Sequence, residues 1–290
     1  MLGQDTPALL DTIAGAVQEL VNTAPDEIGA VGFGIPSLID RRSGTSVIAV
    51  NLPLTDIRFG ALMAERLDLP VFVDNDGNVA ALAEHRAGAA VGVDDMVLIG
   101  LGTGIAGGLI LGGELYRGSI GAGAELGHMV IDINGPKCQG NCPNHGCFEA
   151  MASGTALARE ARSIAAEQPT SALGQALADG RELDGALVTE LAHDGDSAAR
   201  EVLRLIGERL GVALANFVNI FNPEMIIVGG GVMGAGEMLL EPARAEVQRR
   251  ALPPSRDIVR IVAAEFGHEA GMVGAAALAW DGLSSRQEQP

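Results

Sequence analysis

The sequence predicts an α/β fold in which the strands are mainly parallel. Strand-like apolar segments alternate with amphipathic helical segments along most of the 290 residues, and polar residues or glycines directly follow several buried strands. The length is sufficient for one large domain or two modest ones with a substantial core. Such sheets keep their sites at the ends of strands, so the residues that follow each strand are the first candidates.

The first part of the chain begins with a helix. Thr6 suits the N-cap, Pro7 suits the first helical position, and apolar residues between Leu9 and Val21 fall on one helical face. Pro36-Ser37 is predicted to break the chain after the first strand. Strands are predicted near 28–35, 47–50, 71–73, 96–101 and 108–111, and helices near 59–67 and 78–87.

The rest of the chain is predicted to be mostly helical. Helices are expected near 155–167, 171–178, 183–192, 198–221, 237–249 and 269–280, and strands near 225–228 and 258–263. The last residues, 284–290, are polar and lack a periodic apolar face, which predicts a frayed, flexible tail.

The charge balance is strongly acidic, with 37 acidic against 19 basic residues and a net charge of −18. This charge opposes binding to nucleic acid and to anionic membrane surfaces. The N-terminus has neither a basic region nor an apolar signal run, so we expect a soluble cytoplasmic protein. The uncharged stretch 96–113 contains seven glycines, which suit strands joined by a loop better than a membrane-spanning helix.

Three cysteines lie close together near the middle of the chain, at Cys138, Cys142 and Cys147. With one histidine they make a tetrahedral shell of three thiolates and an imidazole, the ligand set of a closed, structural zinc site. His128 and His145 are the candidate fourth ligands, and His128 is preferred because a strand predicted to start there would hold its ring rigidly. A disulfide would leave one cysteine over and would need an oxidising compartment.

The residues around the cysteines resemble a known signature. The segments 125–128 (ELGH) and 146–149 (GCFE), with clustered cysteines between them, are similar to the signature of the ROK family of sugar kinases, which also includes sugar-sensing repressors. The resemblance implies that the histidine and three cysteines hold zinc and that Glu125, His128 and Glu149 contact a sugar. Carboxylates suit this role because they accept hydrogen bonds from hydroxyl groups.

Asp76 is the candidate general base. It follows the predicted strand 71–73, and the resemblance assigns sugar binding to the pair Asn75-Asp76 and proton removal from the attacking hydroxyl to Asp76. General-base catalysis usually contributes about 10² to 10⁴ in rate. The alternative is an Asx turn that caps the next helix. A calcium-binding EF-hand is excluded because its glycine and glutamate positions do not match.

Two glycine-rich segments are candidates for nucleotide binding. Gly102, Gly104 and Gly107 satisfy the dinucleotide-binding pattern, but that pattern should open a helix and a strand is predicted to follow. Residues 101–105 instead resemble the second phosphate loop of the ROK kinases, in which Gly102, Thr103 and Gly104 approach the phosphates; a plain hairpin turn is the alternative.

The second glycine-rich segment follows the predicted strand 225–228. The resemblance places Gly229, Gly230 and Gly231 near the adenosine, although tight packing of a strand on a helix also explains such glycines. Asn51, which follows the predicted strand 47–50, matches a family asparagine that contacts the sugar.

The resemblance implies a two-lobed actin-like ATPase fold of the ribonuclease H-like type. The expected small lobe comprises residues 1–76 completed by the helix 269–280, and the expected large lobe comprises residues 77–268. The implied activity is phosphorylation of a hexose, foremost glucose, at its C6 hydroxyl by ATP with Mg²⁺. The expected partners are hexose and ATP, without nucleic acid or membrane, and a homodimer is a further family expectation.

Two features depart from the family pattern. Residues 139–141 separate Cys138 from Cys142, where the family usually has one residue. ROK kinases also carry an Asp-x-Gly-Gly-Thr phosphate loop ahead of the first helix, and this sequence begins at that helix. We therefore expect an N-terminal truncation that binds hexose and zinc but phosphorylates poorly. The alternatives are a non-catalytic sugar sensor and a kinase for mannose or an N-acetylhexosamine.

Overall fold

The computed structural model describes residues 5–40, 42–49 and 52–287, so the candidate Asn51 lies outside the described residues. The chain divides into two compact units. Unit 1 comprises Met1–Val91, Leu115–Ala124 and His268–Pro290, and unit 2 comprises Gly92–Glu114 and Glu125–Gly267.

The elements alternate between strand and helix in the first part of the chain, as the sequence predicts. They are α1 (Thr6–Thr23), β1 (Val31–Ile35), β2 (Ser37–Asp40), β3 (Thr45–Ala49), α2 (Phe59–Leu67), β4 (Val71–Asn75), α3 (Asp76–Ala87), β5 (Met96–Leu101), β6 (Ile105–Leu111) and β7 (Glu114–Leu115).

The rest of the chain is dominated by helices. They and their strands are α4 (Phe148–Ala152), α5 (Gly154–Glu167), α6 (Ala172–Ala178), α7 (Gly185–His193), α8 (Ser197–Phe221), β8 (Met225–Gly229), α9 (Glu237–Arg250), α10 (Ser255–Ile258), β9 (Arg260–Ala263) and α11 (Ala270–Gln287). Short 3₁₀ helices occur at Leu126–His128, Gly231–Ala235 and Gly267–Glu269.

Unit 1 contains two strand pairs and an apolar core. β1 pairs in parallel with β4, and β2 pairs antiparallel with β3. Leu9 and Leu10 from α1 and Phe59 and Met63 from α2 are buried in this core. The ring of Phe33 in β1 meets Phe59 edge-on, with ring centroids 5.3 Å apart. The predicted break is confirmed at Pro36, where β1 has ended, but it does not extend to Ser37, which begins the unpredicted strand β2.

The last helix of the chain packs closely on β1 and α3 in unit 1. A Cβ atom at Gly32 would lie 1.9 Å from the carbonyl oxygen of Ala275, and one at Gly274 would lie 1.8 Å from that of Val79. Glycine is therefore required where α11 meets its two neighbours. The same packing explains why α3 belongs to unit 1, whereas the expected boundary after residue 76 would have placed it in the other unit.

The N-cap of α1 is Asp5 and not Thr6. The Asp5 carboxylate accepts a hydrogen bond from the Ala8 backbone N–H at 3.0 Å. The Thr6 hydroxyl instead donates to the carbonyl oxygen of Pro53 at 2.6 Å. The predicted helix is confirmed, but the side chain that caps it is the carboxylate of Asp5 rather than the hydroxyl of Thr6.

Unit 2 is built on a five-stranded sheet in the order β7-β6-β5-β8-β9. β5, β8 and β9 run parallel to one another, and β6 runs antiparallel to β5. The predicted mainly parallel arrangement is therefore confirmed for β5, β8 and β9. The hairpin formed by β5 and β6 adds antiparallel pairing on the other side of β5. β6 also confirms that the glycine pattern at Gly102–Gly107 leads into a strand rather than a helix.

The end of the chain differs from the predicted frayed tail. α11 continues to Gln287, so residues 284–287 are helical, and residues 288–290 lie outside the described residues. The hydroxyls of Ser284 and Ser285 donate to the carbonyl oxygens of Trp280 and Asp281, one turn earlier, at 3.0 and 2.9 Å. Within the described part of the chain, no helix has the length and apolar character needed to cross a membrane.

Candidate functional site

The imidazole of His128 and the thiols of Cys138, Cys142 and Cys147 converge in unit 2. We call these four residues the cysteine cluster; their ligand atoms all lie within 4.8 Å of one another. The Cys142 and Cys147 sulfurs are 3.8 Å apart, and the Cys138 sulfur is 3.6 Å from His128 Nδ1. All three cysteines are free thiols, so the disulfide alternative does not apply. His145 is exposed and lies outside the cluster.

These distances fit zinc. Bonds of about 2.3 Å to sulfur and 2.0 Å to nitrogen in a tetrahedron give S···S separations of about 3.8 Å and S···N separations of about 3.5 Å. Burial raises the pKa of the Cys138 thiol, and the neighbouring thiols of Cys147 and Cys142 raise it further. A bound cation would offset this effect, because metal binding displaces thiol protons. The donor set therefore fits a closed, structural site with no open coordination position.

The cysteine cluster is held by turns rather than by a regular strand. His128 ends the 3₁₀ helix Leu126–His128, so the strand predicted to begin there is wrong. Val130 makes only an isolated antiparallel bridge to Cys147. Gly146, with φ of +62°, must be glycine because a Cβ atom there would lie 1.5 Å from the Asp132 carbonyl oxygen. A tight turn, and not sheet pairing, thus brings the last cysteine toward the histidine.

Glu149 lies between the cysteine cluster and the end of the hairpin formed by β5 and β6. Its Oε2 accepts a hydrogen bond from the Ile105 backbone N–H at 2.8 Å, and its Oε1 is 3.8 Å from the Cys138 sulfur. A Cβ atom at Gly104 would lie 2.4 Å from Oε2, so glycine is required for the carboxylate to sit here. Glu125, the other carboxylate of the signature, is exposed just before the 3₁₀ helix.

Residues Gly102–Gly104, which we call the glycine loop, connect β5 to β6. The turn is closed by a hydrogen bond from Gly102 N–H to the Gly104 carbonyl at 3.0 Å. Two residues at the start of α5 also bind the glycine loop. Gly154 N–H donates to the Gly102 carbonyl at 2.8 Å, and the Thr155 hydroxyl donates to the Thr103 carbonyl at 2.9 Å. The loop is therefore a hairpin turn with a fixed backbone and an exposed Thr103.

The second glycine segment serves two different purposes. Gly230 has φ of +91°, and a Cβ atom there would lie 2.4 Å from the carbonyl oxygen of Leu101. This supports the packing interpretation for Gly230. A Cβ atom at Gly231 would meet nothing within 4 Å, and Gly229 ends β8. Open space for a ligand is thus found at Gly231 and not at Gly230.

In unit 1, β4 delivers Asp74, Asn75 and Asp76 to the start of α3. The Asn75 side chain accepts hydrogen bonds from the N–H groups of Gly77 and Asn78 at 2.9 and 3.3 Å. Asn75 is therefore the N-cap of α3, so the capping role considered as the alternative for Asp76 belongs to its neighbour. Asp76 is the first residue of the helix and is exposed at its surface. Desolvation by the surrounding protein raises the pKa of Asp76, against a hydrogen bond from Gly77 N–H.

Asp74 is a buried residue whose importance the sequence does not reveal. Its Oδ2 pairs with Arg117 Nε at 2.5 Å, and its Oδ1 accepts from the Asn78 side chain and the Asn75 N–H, both at 2.8 Å. Arg117 belongs to the segment Leu115–Ala124 of unit 1, which is 43 residues away in sequence. The sequence shows only that a carboxylate lies two residues before the candidate base, and residue spacing cannot identify Arg117 as its partner.

The α/β fold with its five-stranded sheet and the cysteine cluster fits the class of sugar kinases that the sequence resembles. The ROK family model matches residues 4–281, and the chain belongs to the ROK family. The resemblance drawn from the signature and the predicted actin-like ATPase fold are both confirmed by the comparisons.

Individual relatives include both enzymes and regulators. The chain is 37% identical over 259 residues to a glucokinase of Thermotoga maritima, covering 87% of this chain and 80% of that protein. It is 30% identical over 253 residues to a xylose repressor of Caldicellulosiruptor bescii, covering 86% of this chain and 63% of the repressor. A crystal structure of a ROK family glucokinase from Streptomyces griseus in complex with glucose and AMPPNP gives a TM-score of 0.84 at 35% identity, over 97% of this chain and 90% of that one.

Proposed function

We propose that the protein is a hexose kinase that transfers the γ-phosphoryl group of ATP to the C6 hydroxyl of glucose. The observation that carries this proposal is the 35% identity, over 97% of this chain, to a glucokinase whose structure contains glucose and AMPPNP. Together with the relatives named glucokinase, it favours phosphoryl transfer to a hexose over other uses of the fold.

Asp76 acts as the general base in this proposal. The C6 oxygen forms a bond to the γ-phosphorus while the bond from that phosphorus to the bridging oxygen of ADP breaks. The proton of the hydroxyl passes to Asp76 and then to solvent, and the products are hexose 6-phosphate and ADP. A carboxylate whose pKa is raised, as that of Asp76 is by desolvation, is a stronger base than an ordinary aspartate.

Five polar side chains bind the sugar in this proposal: Asn51, Asn75, Glu125, His128 and Glu149. Their carboxylate, amide and imidazole groups suit hydroxyl recognition. Asn75 already uses its side-chain oxygen to cap α3 and donates its amide nitrogen to the Ser37 carbonyl at 3.3 Å. Its role is therefore partly to hold the backbone beside Asp76.

The nucleotide is bound by the glycine loop and by residues 229–231. Thr103 is exposed at the tip of the loop, which suits a hydroxyl that approaches a phosphate oxygen. Gly231 provides the open space expected beside a flat adenosine ring, whereas Gly230 is required for packing. Magnesium arrives with ATP and neutralises part of the phosphate charge.

The cysteine cluster is proposed to hold one structural zinc ion. When bound, the ion supplies rigidity to the loop and fixes the tautomer of His128. Nδ1 of His128 faces the Cys138 sulfur, so the other ring nitrogen, Nε2, is left to donate to a ligand. The side chains, and not the metal, carry the contacts to the sugar.

A second function, a sugar sensor without turnover, is favoured by the xylose repressor relatives. The two functions differ in ADP formation. The test measures ADP release by the purified protein with Mg-ATP and glucose, mannose, xylose or N-acetylglucosamine in turn. Glucose-dependent ADP release with glucose 6-phosphate as product supports the kinase. Tight glucose binding without ADP release contradicts it and favours the sensor, and faster turnover of another sugar contradicts the choice of glucose.

A further inference from the structure

Gln139 links two parts of unit 2 that the sequence presents separately. It lies in the three-residue stretch 139–141 between the cluster residues Cys138 and Cys142. Its side-chain amide nitrogen is 3.3 Å from the carbonyl oxygen of Thr103 in the glycine loop and 3.0 Å from the Ser153 hydroxyl. The Thr103 carbonyl can only accept, so the amide nitrogen of Gln139 must face it.

The backbone of Gln139 is held at the cysteine cluster. Cys142 N–H donates to the Gln139 carbonyl at 3.3 Å, and Cys138 N–H donates to the Asn144 carbonyl at 3.0 Å. Any ion bound by the flanking thiols fixes both ends of this short segment. The position of the Gln139 side chain therefore depends on the geometry of the cluster.

The far end of the Gln139 side chain meets the residues that hold the glycine loop. Ser153, which is fully buried, caps α5 by accepting from the Ala156 N–H at 3.3 Å. The Thr103 carbonyl accepts from both Gln139 and the Thr155 hydroxyl. The loop is thus held by two donors on one carbonyl, one from α5 and one from Gln139 of the cysteine-cluster segment.

We propose that Gln139 is a positioning residue that couples the cysteine cluster to the glycine loop and thereby raises the affinity for the nucleotide phosphates. The claim about nucleotide affinity rests on the kinase function proposed above. The claim that Gln139 couples the cysteine cluster to the glycine loop does not depend on that function. Removing the Gln139 donor leaves the Thr103 carbonyl with one hydrogen bond instead of two. A single hydrogen bond of this kind corresponds to about a threefold to tenfold change in an equilibrium constant.

The test compares the wild-type protein with Gln139→Met, which keeps the length of the side chain and removes its donor. The matched control is Gln175→Met, because Gln175 is exposed and donates to the Thr170 carbonyl within another part of unit 2. Amide hydrogen exchange of the peptide that covers Gly102 to Ile105 is measured before and after zinc removal by a chelator, together with zinc content.

We expect exchange in this peptide to be faster in Gln139→Met while zinc content stays at the wild-type value. Zinc removal should accelerate exchange in the wild type and in Gln175→Met, and add little in Gln139→Met. Unchanged exchange in Gln139→Met would overturn the coupling. Loss of zinc in Gln139→Met would also overturn it, because the effect would then arise from the metal site itself.

Calorimetric titration with AMPPNP and with glucose gives the functional readout. Gln139→Met should bind AMPPNP about fivefold more weakly, and glucose within about twofold of the wild type, whereas a general structural defect would weaken both. Equal AMPPNP affinity in the two proteins would overturn the nucleotide part of the inference. If the wild type binds no AMPPNP, the proposed kinase function fails, and the exchange experiment still decides the coupling.

Discussion

Arg117 and the buried Asp74 form a partly buried ion pair in unit 1, with Nε and Oδ2 2.5 Å apart, and Asp74 lies two residues before the proposed general base. The relative exposure of the two side chains is 18% and 6%. The pair joins the segment Leu115–Ala124 to the end of β4. The backbone beside Asp76 therefore depends on a residue far away in the sequence.

Breaking this pair from one side is expected to be costly. Arg117→Met leaves a buried carboxylate without its counter-charge and should lower the free energy of unfolding by about 3 kcal/mol. Asp74→Asn combined with Arg117→Met should recover part of that loss, because the buried charge is then gone while Oδ1 still accepts from Asn75 and Asn78. Urea unfolding of the single and double variants measures both values. Additive effects of the two changes would contradict the pairing.

Asp76→Asn should retain hexose binding and lose turnover. The amide still forms hydrogen bonds but cannot accept a proton, so we expect kcat to fall about 10²-fold to 10⁴-fold while the glucose Kd changes little. In the wild type, kcat should decline as the pH falls through the raised pKa of Asp76, because the protonated carboxyl is no longer a base. Wild-type turnover in Asp76→Asn, or an acid limb unchanged by it, would exclude this role.

Gly104→Ala should displace the Glu149 carboxylate. The added methyl group would lie 2.4 Å from Oε2, and the hydrogen bond from the Ile105 N–H would be broken. We expect glucose affinity to fall at least tenfold and stability to fall by about 1–3 kcal/mol. Gly185→Ala, where a Cβ atom meets nothing within 4 Å, is the matched control. Unaltered glucose affinity in Gly104→Ala would mean that Glu149 does not contact the sugar.

One zinc ion per chain is expected by elemental analysis. Cys142→Ser combined with Cys147→Ser should abolish zinc binding, because two of four ligands are removed. His128→Ala should weaken binding, whereas His145→Ala should leave it intact, since the structure places His128 and not His145 with the sulfurs. Full zinc content in the double serine variant would refute the site.

Site residues are easiest to predict from the sequence when they lie close together along the chain. Cys142 and Cys147 are five residues apart, and the tight turn at Gly146 helps to bring Cys147 toward His128. The spacing could not reveal that Arg117 reaches Asp74 across 43 residues, because ion pairs of this kind depend on how distant segments pack.

Local pattern also failed where tertiary contacts or side-chain hydrogen bonds decide the structure. Pro36 correctly signals the end of β1, but the pattern does not predict the short strand β2 that begins at Ser37. The hydroxyl of Ser37 donates to the Ile48 carbonyl in β3 at 2.9 Å, a contact between strands that spacing does not reveal. Polar residues at the end of the chain suggest fraying, yet the hydroxyls of Ser284 and Ser285 bond back along α11. The roles proposed for Asp76 and the glycine loop stay predictions until the substitutions are measured.

The packing of α11 on β1 and α3 has a consequence for biosynthesis. The ribosome releases β1 and α3 long before the helix that covers them, because about two hundred residues separate Val91 from the end of α11. Protein synthesis adds about 5–20 residues per second, so the apolar faces of β1 and α3 stay uncovered by α11 for roughly 10–40 s. Unit 2 consists of residues between Val91 and α11, so it is synthesised during this time. It can therefore fold on the nascent chain before unit 1 is complete.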